Sequence, residues 1–267
     1  LSLSFYVSGI MEQMGTRFGI NTGCDGLEAD LCYGVMVNSR AVFSQFLTKH
    51  AAPYNYIMLD DIIEGAPIIR LIRRAVNDDL EIDATVNQSD CIVSDPQNEP
   101  AIKYNRTDPS SLPAQVELQY ISWDRDFAIN TQYARNNGAR VQQNIYSASV
   151  DFILDDATAR DIAYDLLWRM WMQQLSISFT HPDLTIEPSD IVEMNTDQGT
   201  FTIQVLTSMI TKEPMGQNAI GRVNQLSGQM LLTKKGTTVS PGSAQASSAK
   251  GAFHLFLNPT LSFVGST

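Results

Sequence analysis

The stretch "VELQYISWDRDF", Val116 to Phe127, has two halves of different chemistry. The first alternates as a half-buried strand does, with Val116, Leu118 and Tyr120 on one face and Glu117, Gln119 and Ile121 on the other. The second crowds Trp123, Asp124, Arg125, Asp126 and Phe127 together. Two acids around a base admit two readings. Asp124 and Asp126 share a face only if extension continues, and a pair so spaced could bind a cation. In a turn they instead accept backbone N–H bonds while Arg125 pairs with a neighbour. The turn reading is favoured, so Trp123 to Phe127 are expected to close a strand end.

The rest of the chain supplies little that would make those acids catalytic. The histidines are His50, His181 and His254, and none belongs to an H-E-x-x-H pair. There is no G-x-S-x-G elbow, no Walker lysine loop and no G-x-G-x-x-G. Each histidine reads better as a packed or surface residue than as a base or ligand. Asp60 and Asp61 could be catalytic carboxylates, but a solvated strand end explains them at least as well. Two carboxylates can hydrolyse a sugar bond without histidine, yet nothing in the sequence shows which pair faces a cleft. The expectation is therefore no catalytic residue, no cofactor and no metal. Cys24, Cys32 and Cys91 match no zinc spacing and contain no C-x-x-C, so they read as reduced, structural thiols. Asn87-Gln88-Ser89 and Asn105-Arg106-Thr107 fit the glycosylation sequon and are read as unused.

Charge narrows the partners. The 267 residues carry a net charge of -11 with a pI of about 4.6, so nucleic-acid phosphates would repel the chain. No Lys/Arg-rich run marks a nucleic-acid patch. A wall that DNA slides past without adhering would also be acidic. The apolar run near Ile162 to Met172 is broken by Asp165 and Arg169, so no membrane span is expected. No basic segment leads into a cleavable apolar one, so no signal peptide is expected.

The pattern divides near Leu80. Residues 1–80 read as a small helix–strand–helix–hairpin domain. "SFYVSGIMEQMGTRFG" places Phe5, Ile10, Met11, Met14 and Phe18 at helical spacing, with Gly19 as the stop. "YGVMV" reads as a buried strand. Asn38 or Ser39 then caps a helix with the face Val42, Phe43, Phe46 and Leu47, ended by Pro53. "YNYIML" and "APIIRLIRR" flank a turn at Glu64-Gly65. Residues 81–235 read as mostly antiparallel strands, a barrel or sandwich of α+β class with one long helix at about 155–174, capped by Asp155 or Asp156. Within it, "SDPQNEPAIKYNRTDPSSLP" reads as a long surface loop. Residues 236–267 read as a Ser/Gly/Ala-rich linker with C-terminal strands such as "AFHLFL".

On a wheel at about 100° per residue, the long helix presents Ala159, Ile162, Ala163, Leu166, Leu167 and Met170 as one apolar face. Tyr164, Trp168, Trp171 and Leu175 gather on a second side. Asp161, Asp165, Arg169 and Gln173 form a polar stripe, with Asp165 and Arg169 spaced to pair. Rings of this kind are favoured at interface hot spots, so the aromatic side is expected against another element across a domain or subunit boundary. The alternative is burial on both sides within one subunit.

Taken in order, these segments resemble the phage tail-hub family, which includes the hub of gene transfer agents. "VELQYISWDRDF" resembles that family's strand and turn, "ARDIAYDLLWRMWMQQLSISFT" its long helix running into a strand, and "IEPSDIVEM" and "GTFTIQVLTSMI" the strands that follow. "GIMEQMGTRFGI" and "VNSRAVFSQFLTKHAAPYNYI" resemble its small preceding domain. The resemblance spans roughly Phe5 to Ile210. It implies a β-barrel hub subunit, a homotrimer that forms a ring at the tail tip. Such a ring closes the tail tube, lines the DNA ejection channel and contacts the distal tail protein, other tip or fibre proteins and the tape measure protein. The resemblance further implies that DNA passes without specific binding and that the protein is found at the virion tail tip after assembly in the host cytoplasm. The chain lacks the extra domains of longer members, including any cell-wall hydrolase, so an enzymatic role is not expected. The competing readings are a tail-associated glycan hydrolase and a cell-surface carbohydrate-binding module.

Overall fold

A computed structural model describes residues 4–37, 42–63, 65–74, 76–77, 81–93, 100–136, 144–215, 219–230 and 232–233. In chain order the first elements are β1 (Phe5–Tyr6), α1 (Val7–Arg17), β2 (Asn21–Asp25), β3 (Leu31–Cys32), β4 (Gly34–Val35), α2 (Phe43–Tyr54), β5 (Tyr56–Ile63), β6 (Ala66–Arg73) and β7 (Val76–Asn77). There follow β8 (Ala84–Asn87), β9 (Ile102–Arg106), β10 (Gln115–Ser122), β11 (Ile129–Arg135), β12 (Ile145–Leu154) and α3 (Asp156–Met172). The last are β13 (Leu175–His181), β14 (Ile191–Thr196), β15 (Gly199–Met215), β16 (Ala219–Met230) and β17 (Leu232–Thr233).

These elements form two compact units that are not consecutive in the chain. One contains Leu1–Arg73 and Asp108–Met172, the other Arg74–Thr107 and Gln173–Lys234. The first switch, at Arg73/Arg74, lies close to the expected boundary near residue 80. The expected second domain, 81–235, does not stay together, because β10, β11, β12 and α3 join the N-terminal elements. The expected linker at 236–267, with His254 and "AFHLFL", lies outside the described residues.

In the first unit, β10 is the organising strand. It pairs antiparallel with β11 and parallel with β12, whose other edge takes β4. Val116, Leu118 and Tyr120 are buried, as the alternation predicts. The same core takes Ala159, Ala163, Leu166 and Leu167 from α3, and Ile162 and Met170 pack partly buried against it. This is the apolar face read from the wheel. Asp155 caps the helix by accepting the N–H of Thr158 at 2.6 Å.

The opposite side of α3 departs from expectation. Trp171 is 6% exposed, belongs to this unit's core and donates its indole N–H to the Pro113 carbonyl at 2.8 Å. Trp168 is buried as well. The ring of Trp171 thus fills its own unit rather than a boundary. Arg169, placed by the wheel in a polar stripe, is also buried. Its guanidinium donates to the carbonyls of Ala52 at 2.8 Å and Pro53 at 2.9 Å, in the last turn of α2.

Elsewhere in this unit, α1 packs on a three-stranded sheet of β2, β6 and β5. A Cβ at Gly15 would lie 2.2 Å from the Thr22 hydroxyl oxygen, so glycine is what allows helix and strand to meet this closely. Gly19, at φ 71°, ends the helix as expected. Phe5 and Phe18 fall outside α1 and are exposed. Phe43, Phe46 and Leu47 are buried on α2 as predicted, but Val42 is exposed. Asn38 and Ser39 lie outside the described residues. Pro53 sits inside the last turn of α2, and Asn55, at φ 56°, ends the helix instead.

The second unit is a six-stranded sheet in the order β8-β14-β15-β16-β13-β9. β8 and β14 are parallel and the other pairs antiparallel. The expected antiparallel barrel is therefore corrected to an open, mixed sheet within an α+β fold, with β8 and β9 at its two edges among the described residues. Val86, Ile102, Ile177, Phe179, Val192, Met194, Ile203, Val205 and Leu226 form its core. The strand β9 arises inside the segment read as a loop. Its "IKYNR" offers only Ile102 and Tyr104 as apolar alternates, which is too weak a pattern to stand out among polar neighbours.

Candidate functional site

The joint between β10, the turn after it and the start of α3 draws the opening motif together. Ser122 N–H donates to the Ala128 carbonyl at 2.9 Å and Phe127 N–H to the Ser122 carbonyl at 3.0 Å, closing the turn. Asp126 and Phe127 lie in the left-handed region at φ 52° and 63°. Two successive non-glycine residues there are held by their surroundings, since the conformation is intrinsically disfavoured. Trp123 N–H donates to the Leu154 carbonyl at 2.8 Å, which ties the turn to the end of β12.

Asp156, the first residue of α3, is the hub. Its Oδ1 accepts from the hydroxyl of Tyr120, from Ser122 Oγ at 2.9 Å and from Asn130 Nδ2 at 3.3 Å. Its Oδ2 faces Arg125 at 3.5 Å, and its N–H donates to Asp124 Oδ2 at 2.9 Å. The Tyr120 hydrogen bond above all, with those from Ser122 and Asn130 and the charge of Arg125, holds its carboxyl below the usual carboxylate range against the opposing effect of burial. Asp124 thus accepts a helix N–H while Arg125 pairs with a neighbour, as in the turn reading. Three carboxylates around a helix start also suit its partial positive charge.

Other candidates are dispersed. Asp60 and Asp61 are adjacent on β5 and so point to opposite faces. Asp61 lies 3.4 Å from Arg70, which also holds Asp25 at 2.7 Å. His50 is fully buried, with Nδ1 2.7 Å from the Phe46 carbonyl and Nε2 accepting the Asp151 N–H at 3.0 Å. That pattern requires the neutral ring protonated on Nδ1. His181 accepts the N–H of Asp183 at 3.2 Å, and burial lowers its pKa. The three cysteines are buried, unpaired thiols, and burial pushes Cys24 up to about 12 and Cys32 and Cys91 up to about 11. Among the described residues no cluster of His, Cys, Asp or Glu could hold a metal ion. No described helix is long and apolar enough to cross a membrane.

Burial holds His50 well below its ordinary value, at about 4. Between that pKa and the unfolded value near 6.5, the unfolded chain binds the additional proton. The stability contribution of the neutral ring is therefore fully present above about pH 6.5 and is lost as pH falls toward 4. Urea unfolding across this range should show the slope in the native protein and a flatter one in His50→Gln. An unchanged slope would contradict the buried, neutral state.

Sequence reading missed the partners that surround the motif: Asn130 and Gln132 on β11, and Tyr33, whose ring stacks on Trp123 at 4.7 Å. Tyr33 lies 90 positions away from Trp123 in the chain, and no local pattern connects the two.

Solved structures of similar architecture include a virion component and two tail proteins. A chain of the gene transfer agent particle, "Virion of native gene transfer agent (GTA) particle", superposes with a TM-score of 0.65 at 15% identity, covering 85% of this chain and 48% of that one. The tail protein from Neisseria meningitidis MC58 gives 0.56 at 9% identity, covering 85% and 68%. The 43 kDa tail protein of prophage MuSo2 from Shewanella oneidensis gives 0.50 at 9%, covering 84% and 65%. The chain thus spans about half the length of the first and about two thirds of the others. At these identities the likeness is one of fold. No curated protein matches the sequence. Residues 61–207, more than half of the chain, match the family model described as "Putative phage tail protein". This match makes the chain a member of that phage tail protein family.

Proposed function

We propose that this chain is a hub subunit at the tip of a phage or phage-like tail, assembled as a homotrimeric ring that closes the tail tube and lines the channel for DNA. The observation that carries this reading is the fold shared over 85% of the chain with a component of the gene transfer agent virion, joined to membership of a tail protein family. Its mechanism is geometric. A rigid sheet held by a continuous core keeps its shape under load, and the open sheet of the second unit offers edges β8 and β9 to neighbouring chains. The net charge of -11 suits a conduit that DNA traverses without adhering. Because the Debye length is about 8 Å at physiological salt, only acids close to the axis act on passing DNA. The distal tail protein, tip or fibre proteins and the tape measure protein are the partners such a ring meets.

A glycan hydrolase would need two acids converging on a cleft. Asp60 and Asp61 diverge, and Asp124 and Asp156 are bound to the joint. Light scattering on the purified chain, with electron-microscope images of the same sample, tests the ring. The expected result is a species of three times the 29.6 kDa chain mass with a central hole. A protein that stays monomeric as its concentration is raised would overturn the reading.

A further inference from the structure

We propose that an exposed aromatic ridge on the first unit docks a basic segment of another protein, one that presents arginine or lysine side chains between apolar anchors. The ridge consists of Tyr6, Leu31, Tyr33, Trp123 and Phe127. Tyr6 and Leu31 are opposite partners in the β1–β3 pair and share a face, 58% and 47% exposed. Leu31 and Tyr33 flank the buried Cys32; Leu31 is exposed and Tyr33 half-buried. The Tyr33 ring stacks on Trp123 at 4.7 Å and 15°, and Trp123 meets Phe127 edge to face at 5.4 Å and 88°. Trp123 and Phe127 are 39% and 48% exposed. All five belong to one unit, and the chain from Leu31 to Tyr33 links the Tyr6–Leu31 pair to the stacked rings. Contiguous exposed apolar surface with a polar rim marks interaction sites, and Trp and Tyr dominate interface hot spots.

The rim decides the occupant. Asp124 and Asp126 lie between Trp123 and Phe127 in the chain. Asp155 accepts the Tyr33 hydroxyl at 3.4 Å, and Asp156 follows it. Arg125, 3.5 Å from Asp156, offsets one of these four charges, and Asp124, Asp155 and Asp156 keep their hydrogen bonds within the joint, which leaves a net negative border. An acidic border around aromatic faces attracts guanidinium and ammonium groups, which also bind the ring faces directly. A second copy of this chain, with net charge -11 and the same border, is disfavoured. Nucleic-acid phosphates are repelled. A neutral glycan would stack on the rings and donate its hydroxyls to the acids, but it carries no charge to match theirs. The inference stands on this geometry and does not depend on the ring assembly.

The test titrates the full chain with a synthetic peptide alternating arginine and leucine. Trp168 and Trp171 are 7% and 6% exposed, so a surface-dependent change in emission reports Trp123. A saturable shift is expected, weakened by added salt. Trp123→Ala should reduce affinity for the fluorescently labelled peptide roughly tenfold or more. Tyr6→Ser is the second variant, because Tyr6 occupies the N-cap position of α1, where serine is favoured and folding is retained. It should weaken binding in the same direction. The proposal is overturned if the arginine peptide does not bind, if both variants bind as well as the parent, or if a glutamate–leucine peptide binds equally. Saturable binding of cell-wall oligosaccharides in place of the basic peptide would assign the ridge to a glycan instead.

Discussion

Trp171→Ala is expected to destabilise the protein by about 3–5 kcal/mol, a large part of the net stability of a typical domain. The ring is 6% exposed and lies in the core of the first unit with Leu112, Val116 and Leu118. Truncation opens a cavity and removes the donor to the Pro113 carbonyl at 2.8 Å. Urea unfolding of the full chain, followed by circular dichroism, measures the loss. Trp171→Phe retains most of the volume and loses the hydrogen bond, so about 1–2 kcal/mol is expected. The contrast with an interface residue is direct. A tryptophan at a subunit boundary would change the oligomeric state and leave the isolated chain almost as stable. That outcome for Trp171→Ala would show that its ring does not belong to the core of its own unit.

Arg169→Met should cost about 3 kcal/mol, for a different reason. The methionine fills much of the space but cannot donate. The carbonyls of Ala52 and Pro53, held at 2.8 and 2.9 Å, lose a charged partner at the end of α2, where helix carbonyls have no intrahelical donor. Hydrogen bonds from charged groups contribute about 1.5–3 kcal/mol each, and the smaller desolvation of methionine offsets part of their loss. The midpoint of thermal unfolding should fall, and amide exchange should quicken first in the last turn of α2. Arg169→Lys, with one ammonium in place of a planar fork, should restore only part of the loss. Full stability in Arg169→Met would mean that the two carbonyls are satisfied elsewhere.

Much of the first unit is legible in the residues themselves. Strict alternation from Val116 to Tyr120 gives β10 and its buried face, because successive strand side chains point to opposite sides. The 3.6-residue recurrence of Ala159, Ala163, Leu166 and Leu167 gives α3 and the side that covers that sheet. The turn chemistry of Asp124 and Arg125 gives the joint, and Asp155 gives the helix cap. The periodicities and the helix cap are local, their cause lying within a few positions, while the acids and base of the turn show a joint without showing that its partner is Asp156, 32 positions on from Asp124.

Tertiary structure decided the rest. Whether Arg169 is solvated or buried depends on α2, more than a hundred residues away in the chain, and a wheel cannot register that. The second aromatic side of α3 has the composition of an interface and the burial of a core, because apolar burial is favourable whichever chain supplies the cover. The open order of the six-stranded sheet depends on long-range pairing, in particular the parallel contact of β8 with β14. The aromatic ridge arises only when β3 is brought beside the turn after β10, since the stacking of Tyr33 on Trp123 has no counterpart in sequence spacing.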